Sequence, residues 1–137
     1  MKRHFVLIIV GLAVVTAAGM TFAQQQRPYN DIMKDVGAAF ASLRKNLDSN
    51  DAAAAAEDAA KLQALFTETE AFWAQFNTKD AVDHAKNAQK AFAEISAKAK
   101  DKDMKAALNA YGTIGSICAD CHFSHREDTG KSFIIKP

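Results

Sequence analysis

The sequence predicts an all-α protein built as an antiparallel up-down-up-down four-helix bundle, and three observations lead to this prediction. Apolar residues recur at spacings of three and four along most of the chain, and the alternation typical of strands is absent. The chain is rich in alanine, the best helix former, and has one proline between Gln24 and Lys136. Three short polar segments separate four helical stretches of similar length, which forces neighbouring helices to run antiparallel.

The N-terminal segment, residues 1–23, is typical of a signal peptide. Lys2 and Arg3 form a basic start, residues 5–18 are almost unbroken apolar chain, and small residues suited to cleavage follow. We therefore expect a periplasmic protein whose mature domain comprises residues 24–137. The alternative is a retained membrane anchor, because the apolar run is only marginally shorter than the roughly 20 residues that span a bilayer.

Length and charge narrow the possible functions of the mature domain. A chain of 137 residues has room for one domain with a substantial core, but not for two. The whole chain has 17 basic and 16 acidic residues, and removal of Lys2 and Arg3 leaves 15 basic against 16 acidic. Because there is no basic patch or RNA-binding motif, nucleic acid is not an expected partner.

The first two predicted helices differ in composition. The first begins after Pro28, a residue that favours the first turn, and ends at the break formed by residues 49–51. Its apolar stripe consists of Tyr29, Met33, Val36, Phe40, Leu43 and Leu47. The second runs from about Ala52 to Phe76, and its first half is mostly alanine. The large apolar residues of its second half are Leu62, Leu65, Phe66, Phe72, Trp73 and Phe76, of which Trp73 and Phe76 are expected to form core wall.

The third and fourth predicted helices follow a turn at residues 77–80. The apolar residues of the third are Val82, Ala85, Phe92, Ile95 and Ala99. It ends in the sequence KAKDKD, where Asp101 or Asp103 is suited to cap the fourth helix. The stripe of the fourth consists of Met104, Leu108, Tyr111, Gly115, Cys118 and His122.

The only two cysteines, Cys118 and Cys121, are three residues apart, and His122 follows the second directly. A disulfide is one possibility in an exported protein, but it would close a loop too small to constrain much unfolded chain. A dithiol oxidoreductase places such a pair at a helix N-terminus, whereas this pair lies near the C-terminal end, where a thiolate is disfavoured. A zinc site that also used His125 would have four ligands on two turns of one helix, which cannot surround a metal tetrahedrally.

Covalent attachment of haem accounts for both cysteines and the histidine. Two thiols at this spacing form thioethers with the two vinyl groups of the porphyrin, and the adjacent histidine reaches the iron. The sequence therefore predicts one covalently attached haem c, held by Cys118 and Cys121, with His122 as the proximal iron ligand.

From about Pro28 to Arg126 the chain resembles the class II c-type cytochromes, the cytochrome c′ family. The resemblance rests on the Cys-Ala-Asp-Cys-His motif of the last helix, on Gly115 three residues before it, on Arg126 four residues after the histidine, and on the segment IMKDVGAAF. That segment is similar to the low-spin branch of the family, in which a methionine of the first helix is the sixth iron ligand. The resemblance implies that Met33 is this distal ligand.

Further residues are candidates for contact with the haem. A thioether such as that of Met33 is a soft axial ligand that raises the reduction potential, although a methionine on a helical stripe is also common core filler. Gly37, one turn later, leaves room for a flat macrocycle. Family members often have an aromatic at the position of His125, so it is expected to pack against the haem edge. Arg126 is expected to pair with a propionate, or else to be a solvated cation near the helix C-terminus.

Two residues or segments have weaker predictions. His84 is expected to be exposed to solvent, with a role as an alternative iron ligand the less favoured interpretation. The tail after Arg126 extends beyond the usual end of the family's last helix, and its apolar residues 133–135 can pack on the bundle.

Two functions follow from these residues. In the first, the protein is an electron carrier whose iron is held by His122 and Met33, and its partners are redox proteins that meet the exposed haem edge in a small, transient contact. In the second, His122 alone holds the iron and the open side binds nitric oxide or carbon monoxide. Met33 favours the first, and no acid–base pair is placed as an enzyme would require. The resemblance also implies a homodimer through the first two helices, where the alanines of residues 52–60 would allow close approach.

Overall fold

A computed structural model describes residues 26–137, which fold into the predicted four-helix bundle. The helices are α1 (Tyr29–Asp48), α2 (Ala52–Ala74), α3 (Lys79–Lys100) and α4 (Met104–His125). Two short strands follow, β1 (Arg126–Asp128) and β2 (Phe133–Ile135). The predicted signal peptide lies outside the described residues. None of the helices within residues 26–137 combines the length and the apolarity of a membrane span.

Two aspartates cap helices as the sequence pattern indicates. The side chain of Asp51 accepts a hydrogen bond from the backbone amide of Ala54 at 3.1 Å, at the start of α2. Asp103 accepts one from the amide of Ala106 at 3.0 Å, at the start of α4. These bonds satisfy amides that a helix leaves unpaired in its first turn. Of the two predicted caps for α4, Asp103 rather than Asp101 therefore has this role.

Each of the three connections contains a residue in the left-handed region of backbone conformation. These residues are Asn50 (φ 59°), Asn77 (φ 56°) and Lys102 (φ 61°). A left-handed residue stops a helix, and asparagine adopts this conformation more readily than most residues do. α2 ends at Ala74, before the predicted end at Phe76, which lies in the connection with 45% of its surface exposed. The prediction that Phe76 forms core wall is therefore wrong.

Helices that follow each other along the chain pack together, whereas the backbones of α1 and α4 come close at few points. The core of the bundle is formed by large aliphatic and aromatic side chains of all four helices, among them Leu43, Leu62, Phe92, Ile95 and Ile114. Ala55, Ala56 and Ala59 of α2 are also buried in this core. These three alanines, which the sequence offered as a face for a second copy, therefore pack inside the bundle.

The stripe predicted for α4 is only partly correct, because Met104, Tyr111 and Cys118 pack against the core but Leu108 and Gly115 do not. Its buried residues are Ala107, Ile114 and His125, whereas Leu108 is 37% exposed and Gly115 is exposed. Adjacent residues of a helix point about 100° apart. Because Ala107 and Ile114 point into the core, the residues that follow them, Leu108 and Gly115, are turned toward solvent. At these two positions the predicted stripe was displaced by one residue.

The chain after α4 forms a hairpin that the helical pattern did not predict. β1 and β2 pair antiparallel, with Arg126 opposite Ile135 and Asp128 opposite Phe133. Gly130 has a φ of 77°, which suits glycine, and its amide donates to the side chain of Asp128 at 2.8 Å. The expectation that strands are absent therefore fails for this segment of the chain.

Substitution of a buried leucine and of an exposed leucine should lower the free energy of unfolding by very different amounts. Leu62 is fully buried, and Leu62→Ala is expected to lower the free energy of unfolding by about 2–5 kcal/mol, because it removes apolar contacts and leaves a void. Leu108→Ala makes the same chemical change at an exposed position and is expected to stay within about 0.5 kcal/mol of the parent. Denaturant unfolding of the two variants, followed by helical circular dichroism, measures the difference. Equal losses would show that the predicted core is misplaced.

Candidate functional site

A cavity of about 720 Å³ opens at the end of the bundle where α1 begins and α4 ends. Side chains of all four helices and of the hairpin line it, and aromatic residues such as Phe66, Trp73 and Phe92 form its inner wall. Sites for small molecules and cofactors are mostly apolar and have volumes of roughly 300–1,000 Å³. The cavity has the size and lining of a cofactor site, and it extends between α1 and α4, whose backbones come close at few points.

α4 brings Cys118, Cys121 and His122 to this cavity. All three are half-buried, and their spacing of three and four residues places them on neighbouring positions of one helix face. Both cysteines are free thiols. The motif that the sequence singled out therefore lies at the cavity with its thiols unpaired.

The surroundings of the two thiols oppose thiolate formation. Burial raises the pKa of Cys118 above its ordinary value. Burial, and after it the negative charges of Cys118 and Asp80, raises the pKa of Cys121 to about 11. A dithiol oxidoreductase needs the opposite, a thiol with a lowered pKa that attacks as thiolate. At neutral pH these thiols are protonated, which disfavours thiol–disulfide exchange as their function.

The environment of His122 favours a neutral imidazole. Burial, and after it the positive charge of Arg126, lowers the pKa of His122. A neutral imidazole has a nitrogen lone pair free to bind a metal, which the imidazolium lacks. His122 is therefore suited to be a metal ligand at neutral pH.

The zinc site weighed from the sequence is not formed. His125 lines the same cavity, but both of its ring nitrogens are engaged elsewhere, by Asp80 and by the backbone of Lys136. Within residues 26–137, no three side chains of the types His, Cys, Asp and Glu converge on a point that could hold a metal ion.

α1 brings Met33 and Gly37 to the cavity. Met33 is half-buried there, on a helix different from the one that carries His122. A Cβ atom at Gly37 would meet no other atom within 4 Å, so the backbone borders open space. Gly37 and Gly115 are both exposed, but Gly115 is not part of the cavity lining. Viewed along the helix axis, Gly115 and Cys121 each differ in direction from Cys118 by about 60°, on opposite sides.

A cluster of aromatic side chains fixes one side of the cavity. Trp73 is 1% exposed, which confirms its predicted place in the wall, and its indole Nε1 donates a hydrogen bond to the hydroxyl of Tyr29 at 3.1 Å. Tyr29 also stacks on Phe72, with ring centroids 4.5 Å apart. Burial raises the pKa of Tyr29 to about 12, so the hydroxyl stays neutral. The cluster therefore gives a rigid, uncharged wall.

Two residues predicted to surround the haem have specific partners within the protein. His125 is buried, and its ring lies 5.0 Å from that of Trp73, centroid to centroid. Arg126 is exposed at the cavity, and its guanidinium carbon lies 3.9 Å from the centroid of the Phe133 ring. His125 thus packs beside the cavity as an aromatic residue would. The stacking of Arg126 on Phe133 is a contact that the sequence did not predict.

The structure adds two features to the site. His84 is half-buried and lines the cavity, although the sequence indicated a solvent-exposed side chain. Its spacing from the buried alanines Ala81 and Ala88, three and four residues away, was a signal that could have placed it. The hairpin contributes residues 131–135 to the lining.

No protein-family model, curated protein or solved structure was found to match this chain.

Proposed function

We propose that the protein is an exported monohaem c-type cytochrome that carries electrons. The observation that supports this most is one largely apolar cavity lined by Cys118, Cys121 and His122 from α4 and by Met33 from α1. These are the donor types that covalent haem and a six-coordinate iron need, and the volume of about 720 Å³ lies within the range of cofactor sites. A haem bound there would supply an iron that changes between the ferric and ferrous states.

The proposed roles of the four residues follow from their chemistry. Cys118 and Cys121 would hold the haem covalently through thioethers, and His122 would bind the iron as a neutral imidazole. Met33, on α1, would offer a thioether sulfur as a second protein ligand of the iron. Methionine as partner of a histidine stabilises the ferrous state and so raises the reduction potential.

Aromatic side chains pack closely around the inner part of the cavity. Phe66 and Phe92 stack with ring centroids 5.5 Å apart, and Phe40 stacks on Tyr111 at 4.6 Å. Close-packed aromatic side chains exclude water and hold their positions, so little of the surroundings has to rearrange when the charge of the site changes. A site of this kind suits electron transfer better than substrate turnover.

Localisation and partners are part of the same proposal. The basic start and apolar run of residues 1–23 support export to the periplasm, where haem is attached to such thiols. The partners are other redox proteins, which meet the exposed edge of the cofactor in a contact of small area. The near balance of charge in the mature chain gives no reason to expect nucleic acid.

The test is the optical spectrum and mass of the full chain, produced in a host that attaches haem c and purified from its periplasm. We expect a denatured chain that retains one haem by mass, and a low-spin ferrous spectrum that carbon monoxide leaves largely unchanged. A haem-containing protein with a high-spin spectrum that shifts with carbon monoxide would favour the gas-binding alternative. A chain with two free thiols and no haem would overturn both functions.

A further inference from the structure

We infer that the C-terminal hairpin, residues 126–135, is a wall of the proposed haem pocket, and that His125 and Asp80 are the positioning residues that hold it in place. The inference rests on the proposed function. The hairpin follows the last helix of the bundle, and its residues 131–135 line the cavity. The contacts that fix it and the side chains that it exposes carry the inference.

The hairpin has too little packing of its own to be stable in isolation. Each strand has three residues, and an isolated two-stranded hairpin is at best marginally stable in water. Phe133 and Ile134 expose 47% and 48% of their surfaces. Both also line the cavity, so an apolar group in the cavity is placed to contact them. A bound haem would therefore stabilise the hairpin, and the hairpin would shield the haem from water.

His125 connects the end of the hairpin to the bundle by three hydrogen bonds. The backbone amide of Lys136 donates to the carbonyl oxygen of His125 at 2.9 Å. The ring nitrogen Nδ1 of His125 lies 2.8 Å from the carbonyl oxygen of Lys136, and Nε2 lies 2.9 Å from Oδ2 of Asp80 on α3. One buried side chain thus joins the tail, α4 and α3.

Both hydrogen-bond partners of the His125 ring are acceptors. A carbonyl oxygen and a carboxylate only accept hydrogen bonds, so a ring nitrogen of His125 takes part in either bond as the donor. The bond from His125 in turn lowers the pKa of Asp80, which keeps the carboxylate charged. A hydrogen bond in which one partner is charged is about twice as strong as a neutral one. The ring also packs on Trp73, a wall residue, so the position of the hairpin is tied to the wall of the cavity.

The test compares three substitutions in the haem-loaded full chain. His125→Phe retains an aromatic ring beside Trp73 but loses both ring hydrogen bonds, and Asp80→Ala removes the carboxylate. Asp80→Asn keeps an acceptor oxygen without the charge and is expected to give an intermediate result. The matched control is Asp83→Ala, which removes an exposed carboxylate from the same helix.

Two measurements are made on each variant. The first is hydrogen exchange of the amides of residues 126–136, which we expect to become about 10-fold to 100-fold faster in His125→Phe and Asp80→Ala, because local opening loses a charge-assisted bond. The second is the reduction potential, which we expect to fall as water reaches the cofactor and favours the ferric charge. If His125 and Asp80 only stabilised the bundle, their replacement would also speed hydrogen exchange in the helices. A lower potential with unchanged exchange in the helices therefore indicates a role specific to the hairpin.

The outcomes separate the inference from the function on which it rests. Faster exchange confined to the hairpin, with a lower potential and an intact haem spectrum, would support it. Unchanged exchange in His125→Phe and Asp80→Ala would overturn the positioning role, and faster exchange with an unchanged potential would overturn the role as a pocket wall. A chain without haem would instead contradict the proposed function, and its hairpin exchange would still report on the contact between His125 and Asp80.

Discussion

Met33→Ala is expected to convert a cytochrome that resists carbon monoxide into one that binds it readily. In the parent protein the thioether sulfur would occupy the sixth position of the iron, so an external ligand could bind only in the minor state in which the sulfur is detached. Such minor states commonly have populations of about 0.1–10%, so removal of the sulfur should raise the apparent affinity about 10-fold to 1,000-fold. Optical titration of the ferrous protein with carbon monoxide measures the change.

The same substitution should lower the reduction potential, because loss of the soft ligand removes stabilisation of the ferrous state. Met104→Ala is the matched control, since Met104 is a half-buried methionine at the other end of α4 that does not line the cavity. It should leave both the potential and the affinity for carbon monoxide unchanged. If the parent binds carbon monoxide as readily as Met33→Ala does, Met33 is not a ligand and gas binding becomes the better interpretation.

The helices were predictable because their signals are local. Apolar periodicity and the polar breaks placed all four helices within a few residues, and Asp51 and Asp103 cap them as their positions indicated. The spacing of Cys118, Cys121 and His122 put these residues on one face of α4 for the same reason. A helix fixes the relative directions of nearby side chains whatever surrounds it. Short-range spacing was therefore enough to predict that the motif would act as a group.

The errors occur where contacts between distant residues decide the structure. Leu108 belongs to a plausible stripe, but the side of α4 that packs on the bundle was not determined by the sequence of α4 alone. The hairpin has strands too short to give a periodic signal, and its end is held by the contact of His125 with Asp80, 45 residues earlier. His84 likewise lines the cavity because of where α3 lies against its neighbours.

Replacement of both cysteines, Cys118→Ala with Cys121→Ala, is expected to abolish covalent haem and to destabilise the fold. Without thioethers, a denaturing gel stained for haem should show no signal. With the cavity unfilled, apolar side chains such as Met33, Phe133 and Ile134 would stay in contact with water. Burial of a large apolar side chain stabilises by roughly 1.5–3 kcal/mol, so a partial loss at several positions should lower the free energy of unfolding by on the order of 3 kcal/mol. Denaturant unfolding measures this loss.

The contrast between this pair and Met33→Ala separates attachment of the cofactor from ligation of its iron. Met33→Ala should keep the haem through denaturation and change only its ligands, whereas the cysteine pair should lose it. Ser124→Ala, an exposed change on the same helix, is the control and should retain the haem and the parent stability. If the variant that lacks both cysteines unfolds at the same denaturant concentration as a parent that carries haem, the haem of the parent is attached outside the cavity. The apolar cavity that Met33 lines would then be the site of a different ligand.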